Sequence, residues 1–205
     1  MSVMSISNET AKVVVSGSFS FKFQQFPYVL ATALTAQRLG FEVVQPKIAH
    51  ATPGPEGFIR LEGDDPAASP RDLEKAYLDA IEQADGLIIS NHRHTGRMGF
   101  STTAEFAWAA LCGTPRYITH LALPRSRPHP DIWYSNDITP GEAAALDRVP
   151  YKYFDDRQAS PAVWKQAKAA SSPMPETHED YLTLRGLCAR LLDSLSPQPS
   201  GQLAS

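Results

Sequence analysis

The chain has 205 residues, 42% of them hydrophobic, and a net charge of −3. That length supports one α/β domain with a well-buried core and does not require a second. The slight acidic balance weighs against a binder of polymeric nucleic acid, and the absence of an apolar run of spanning length weighs against a membrane protein.

The start, MSVMSISNETAK, has no basic segment followed by an apolar one, so secretion is not expected. Residues 1–10 are polar and are expected to fray. Lys12 to Ser16 (KVVVS) reads as a β-branched buried strand that closes in Ser16-Gly17-Ser18. Pro27 suits a first helical position, and the helix Pro27 to Leu39 stops at Gly40. Phe41 to Gln45 is a second strand. Pro46 to Pro70, dense in proline and glycine, reads as one long loop, serving as a lid or a subunit contact. Ser69-Pro70 opens a helix from Arg71 to Gln83 with an apolar stripe of Leu73, Ala76, Tyr77 and Ala80.

Gly86-Leu87-Ile88-Ile89 is a short strand with no alternation, hence buried on both faces. A glycine-bearing loop leads to a helix from Thr102, with Ala104, Phe106, Ala107, Ala110 and Leu111 at helical spacing and Gly113 and Pro115 as its stop. Arg116 to Leu121 is the next strand. The proline-rich segment LPRSRPHPDIWYSND is irregular. Thr139-Pro140-Gly141-Glu142 is a capping box that starts a short helix, and Ser160-Pro161 starts another. Glu179 to Leu195 is amphipathic and closes the domain, and residues 196–205 form a disordered tail. The expected architecture is a single domain over residues 11–195, of the three-layer flavodoxin- or Rossmann-like α/β class. Its sheet is mainly parallel, with four or five strands. Cys112 and Cys188 fit no CxxC or zinc spacing, which points to reduced thiols and a cytoplasmic protein.

The stretch Asp85 to Thr119 places a helix start and the carboxylate of Glu105 beside the carboxyl end of a buried strand, where open α/β sheets bind ligands. Gly96 and Gly99 let the backbone approach a ligand, and Ser101, Thr102 and the free N–H groups of the helix start can hold a phosphate or a ribose hydroxyl. A structural role competes with this one. Thr102-Thr103-Ala104-Glu105 is itself a capping box, in which Glu105 would bond the Thr102 N–H. Ser16-Gly17-Ser18 likewise fits either a ligand turn or a plain strand exit. His92 and His94 have no further ligand cluster beside them and read as loop histidines rather than metal ligands. Trp133, Tyr134 and Trp164 read as packing groups.

The run Gly96-Arg97-Met98-Gly99-Phe100-Ser101-Thr102-Thr103-Ala104-Glu105 resembles the glycine loop and catalytic glutamate of the nucleoside 2-deoxyribosyltransferase-like family. There G-x-x-G-x-S-T-x-x-E is followed by an alanine-rich helix and a G-x-P turn, here Gly113-Thr114-Pro115. The similarity runs from Lys12 to about Leu121. A fainter one is to the phosphoribohydrolases related to lysine-decarboxylase-like proteins. The resemblance implies N-glycosidic cleavage or (deoxy)ribosyl transfer on a nucleoside or nucleoside 5′-monophosphate, with Glu105 as the nucleophile of a covalent intermediate. Ser16, Gly17, Ser18, Asn91, Gly96, Gly99, Ser101 and Thr102 would line the sugar and phosphate site. No cofactor and no metal are expected, and the resemblance further implies a homodimer or larger assembly. The family's aspartate two turns before Asp85 and its first-strand tyrosine fall on Tyr77 and Val14, so the chain departs from the pattern at the proton donor. Asp72, Asp79, Tyr77 or a neighbouring subunit's carboxylate is the expected replacement. The alternative, from another functional class, is a nucleotide-binding or sensing module without chemistry.

Overall fold

The structure, a computed structural model, describes residues 10–17, 26–47, 51–53, 59–61, 64–90, 98–119, 140–146 and 148–171. In chain order the elements are β1 (Lys12–Ser16), α1 (Phe26–Arg38), β2 (Glu42–Gln45), β3 (Ala51–Pro53), β4 (Ile59–Leu61) and α2 (Pro70–Gln83). They continue with β5 (Gly86–Ile89), α3 (Phe100–Leu111), β6 (Arg116–Thr119), α4 (Pro140–Leu146), β7 (Lys152–Phe154) and α5 (Pro161–Ala169). Five strands form one parallel sheet in the order β2-β1-β5-β6-β7. The order reverses between β1 and β5, which makes the carboxyl ends of those strands the topological switch point of a flavodoxin-like α/β fold.

The pleat decides what each strand residue meets, because successive side chains alternate between faces. Val14, Leu87, Ile89 and Ile118 join Leu78, Ile81, Phe106, Trp108 and Leu111 in the core under α2 and α3. Val13, Val15, Ile88 and Tyr117 join Val29, Ala33, Ala36 and Trp164 under α1 and α5. With both faces covered, β5 is fully buried and β1 is buried from Val13 onward, as their apolar runs require. Asp85 aligns two of them: its Oδ2 accepts the Lys12 N–H at 2.7 Å, and its own N–H donates to the Lys12 carbonyl at 2.8 Å.

Helix ends follow their local chemistry. In α2, Ser69 is the N-cap, Pro70 follows it, and Ser69 and Asp72 exchange the two hydrogen bonds of a capping box. The end of α3 is a Schellman motif: Gly113 takes φ +66°, its N–H donates to Ala110 O at 3.2 Å, and the Thr114 N–H donates to Ala109 O at 2.8 Å. Cys112, beside that turn, is buried, and burial pushes its thiol up to about 12, which keeps it protonated. No helix among the described residues is long and apolar enough to cross a membrane.

Four expectations change. The stretch expected to be one loop contains the antiparallel pair β3–β4, a sheet of its own. The edge strand β7 was not anticipated, because only Phe154 of its three residues is buried and no apolar run announces it. The buried face of α2 carries Leu78 and Ile81, with Tyr77 and Ala80 of the expected stripe packed beside them, whereas Ala76 is exposed and Leu73 half-buried, so the stripe is shifted in part from the one expected. Finally, α3 starts at Phe100, two residues before Thr102. The proposed closing helix Glu179 to Leu195, the segment holding Trp133 and Tyr134, Cys188 and both termini lie outside the described residues.

Candidate active site

Ser16 is the last residue of β1 and shares a face with Val14, so the pleat turns its side chain toward α2 and α3. Its hydroxyl donates to Oε2 of Glu105, and both residues are buried. Glu105 lies one turn inside α3. The N-cap of α3 is Gly99, which makes Thr102 the third helical residue, and the Thr102–Glu105 capping box therefore does not form. The structural alternative for Glu105 as a cap is overturned by that shift in the helix start.

Burial raises the Glu105 carboxyl well above the usual glutamate range, the negative charge of Glu74 raises it further, and the Ser16 hydrogen bond opposes both. Glu74 is on α2. Its carboxyl is also raised by burial, while a hydrogen bond with Ser101 lowers it. Glu74 Oε1 is buried with no hydrogen-bond partner among the described residues. Tyr77, one turn further along α2, has its phenol pushed well above 10.0 by burial and by the charges of Glu105, Asp64 and Glu74, so it remains a neutral phenol. The two helices are held in register by Trp108, whose Nε1–H donates to Leu78 O at 3.1 Å, and by Thr114, whose hydroxyl donates to Ile81 O at 3.0 Å.

The helix start beside this cluster is open. Gly99 provides no side-chain cap, and among the described residues a Cβ there would meet nothing within 4 Å. Within the turn, the N–H and hydroxyl of Thr103 both donate to Gly99 O, at 3.0 and 2.8 Å. On the other face of the sheet, Ser90 directly follows β5 and its Oγ lies 3.2 Å from Thr32 Oγ1 of α1.

No family model matches the chain, and no curated protein does either. Among solved structures, a CMP N-glycosidase of Clostridium botulinum is 16% identical with a TM-score of 0.38, over 72% of this chain and 92% of that one. A conserved protein of Enterococcus faecalis is 13% identical with a TM-score of 0.37, over 89% of this chain and 99% of that one. Likeness at this level says nothing about which groups react.

Of the residues singled out from sequence, Ser16, Tyr77, Ser101 and Glu105 converge on one cluster between β1, α2 and α3. Thr102 is buried in the first turn of α3 and Gly99 is exposed at its cap. Ser18, Asn91, Gly96, His92 and His94 lie outside the described residues.

Gly17 has a packing reason of its own: a Cβ there would sit 2.6 Å from Val29 Cγ2 and 3.1 Å from the Ser90 carbonyl. Gly17→Ala is therefore expected to lower the unfolding free energy by about 1–3 kcal/mol in a urea titration, and no change would mean that α1 yields freely there. Of the two aspartates expected to serve as acid, Asp72 is exposed and engaged as the cap partner of Ser69, whose bonds hold its carboxyl below the usual range. Asp79 lies two residues beyond Tyr77, about 200° around α2 from it. The carboxylate that acts on Glu105 is Glu74. Its signal was present in the sequence: Glu74, Tyr77, Leu78 and Ile81 fall at i, i+3, i+4 and i+7, so a half-buried acidic residue shares the inward stripe of α2.

Proposed function

We propose that this chain cleaves the N-glycosidic bond of a nucleoside or nucleoside 5′-monophosphate, or transfers its (deoxy)ribosyl group, with Glu105 as nucleophile. The observation that supports this most is a buried carboxyl at the switch point of a parallel sheet, bonded by Ser16 and accompanied by a second carboxyl. Burying two like-charged groups together works against stability, and such arrangements cluster where chemistry uses them. An attacking oxygen of Glu105 would form an ester to C1′ as the base departs, and water would then release the sugar with its configuration retained. The uncapped start of α3, with Ser101 and Thr102, suits the phosphate or ribose hydroxyls of such a substrate.

The test is incubation of the purified protein with a panel of nucleosides and 5′-monophosphates, followed by chromatography for free base. Release of base from at least one member is expected. Binding without any release would replace the enzyme with the non-catalytic nucleotide module.

A further inference from the structure

Attack on C1′ leaves the departing base in need of a proton, and neither aspartate anticipated from the sequence stands beside Glu105. Glu74 does. It occupies the buried face of α2 that packs on α3, Ser101 holds its carboxyl from α3, and Oε1 is left buried with no hydrogen-bond partner among the described residues. A buried carboxyl oxygen without a partner is costly, which is explained if a ligand or a proton completes it. Tyr77 stands in the same cluster, yet a phenol held well above 10.0 is too weak an acid to serve a leaving base near neutral pH.

We propose that Glu74 is the proton donor to the leaving base and then the base that activates water, sharing one proton with Glu105. The inference rests on the N-glycosidase reading above. As the C1′–N bond breaks, its electron pair passes to the base, and the Glu74 carboxylic acid gives its proton to the base nitrogen. An oxygen of the Glu105 carboxylate forms the bond to C1′ in the same step. In the second step the Glu74 carboxylate takes a proton from water while the water oxygen bonds to C1′. The bond from C1′ to Glu105 breaks, its electron pair returning to the Glu105 carboxylate, and the starting state is restored.

Two buried like charges do not ionise together readily, so the pair keeps one proton above the pH at which a solvated glutamate loses its own. Before any charge develops at C1′, the Glu74 charge favours that proton on Glu105. Positive charge developing at C1′ stabilises the Glu105 carboxylate and moves the proton to Glu74. Among the described residues, the charged and titratable groups that face the pair are Tyr77 on α2 and, acting on Tyr77, Asp64 ahead of that helix. With Tyr77 neutral, the productive one-proton state gives a bell-shaped pH profile. Activity is lost at low pH when the pair takes a second proton and at high pH when it loses the first.

The test compares wild type, Glu74→Gln and Glu74→Asp on a nucleoside that wild type turns over and on 4-nitrophenyl β-D-ribofuranoside, whose nitrophenolate departs without a proton. In kcat/KM, which reports the first step, Glu74→Gln is expected to lose roughly 10²- to 10⁴-fold on the nucleoside and less than about tenfold on the nitrophenyl riboside, with a burst of nitrophenol ahead of the slowed second step, and to lose the alkaline fall of the pH profile. Glu74→Asp, which keeps the acid, should recover part of the nucleoside rate and the alkaline limb. Equal losses of kcat/KM on both substrates, or full activity of Glu74→Gln on the nucleoside, would overturn the role of Glu74 while leaving the N-glycosidase reading in place. Wild type that releases neither base nor nitrophenol overturns that reading and this proposal together. Carboxyl ¹³C titration provides a check independent of turnover: Glu105 should lose its proton at lower pH in Glu74→Gln than in wild type, and an unchanged titration contradicts the shared proton.

Discussion

Glu105→Gln should abolish base release while leaving the fold intact and more stable at alkaline pH. The amide is nearly isosteric and its oxygen can still accept the Ser16 hydroxyl, so the packing of α3 on β1 has no reason to change. Loss of an attacking group costs several orders of magnitude in rate, whereas loss of a merely supporting carboxyl costs far less. The stability effect follows from the raised pKa. Folded Glu105 keeps its proton to higher pH than the unfolded chain does, so the stability associated with that proton is complete below the ordinary glutamate value. It is lost as pH rises through the folded value. The substituted amide does not titrate. The variant should match wild type near pH 4 and exceed it increasingly above. Melting curves across pH beside turnover measurements separate the outcomes, and a variant that turns over like wild type removes Glu105 from the chemistry.

Trp164→Ala should cost about 3–5 kcal/mol of unfolding free energy, a large share of the roughly 5–15 kcal/mol that a domain has. Trp164 is the buried anchor of α5. Its ring stacks on Tyr117 with centroids 3.6 Å apart and planes at 4°, meets Phe41 at 4.6 Å, and meets Phe154 edge-on at 6.0 Å. It also lies against the backbone of β5, where a Cβ on Gly86 would come within 2.5 Å of the ring. Truncation therefore opens a cavity bounded by β5, β6, β7 and the residue leading into β2, none of which can follow the side chain inward without breaking the ladder. A urea midpoint lowered by an amount corresponding to less than about 1 kcal/mol would mean that α5 contributes little to holding the sheet.

The parts of the fold that could be read from sequence are those whose burial leaves a one-dimensional trace. KVVVS and GLII are unbroken apolar runs because helices cover both faces of β1 and β5, and the stops at Gly40 and Gly113 carry the positive φ that made them readable as helix ends. β7 has one buried residue, and β3 and β4 are three-residue strands set among prolines and glycines, so neither periodicity nor composition marks them. Glu105 and Ser16 stood out through local motifs, and their meeting across 89 residues follows from the pleat of β1 once the sheet order is known. Glu74 was hidden by an error of rotation. Counting Ala76 as core and leaving out Leu78 and Ile81 placed the α2 stripe off its true axis, and only with Leu78 and Ile81 inward beside Tyr77 and Ala80 does Glu74 fall on the inward side.

The central claim, that Glu105 attacks the anomeric carbon, is tested most directly by mass spectrometry of the protein after incubation with a 2′-fluoroarabino analogue of whichever nucleoside it cleaves. The electron-withdrawing fluorine slows hydrolysis of the ester intermediate and lets it accumulate. A pentosyl adduct on the peptide containing Glu105, absent in Glu105→Gln, is the predicted result. An adduct on Glu74, or base release without any adduct on Glu105, would contradict it.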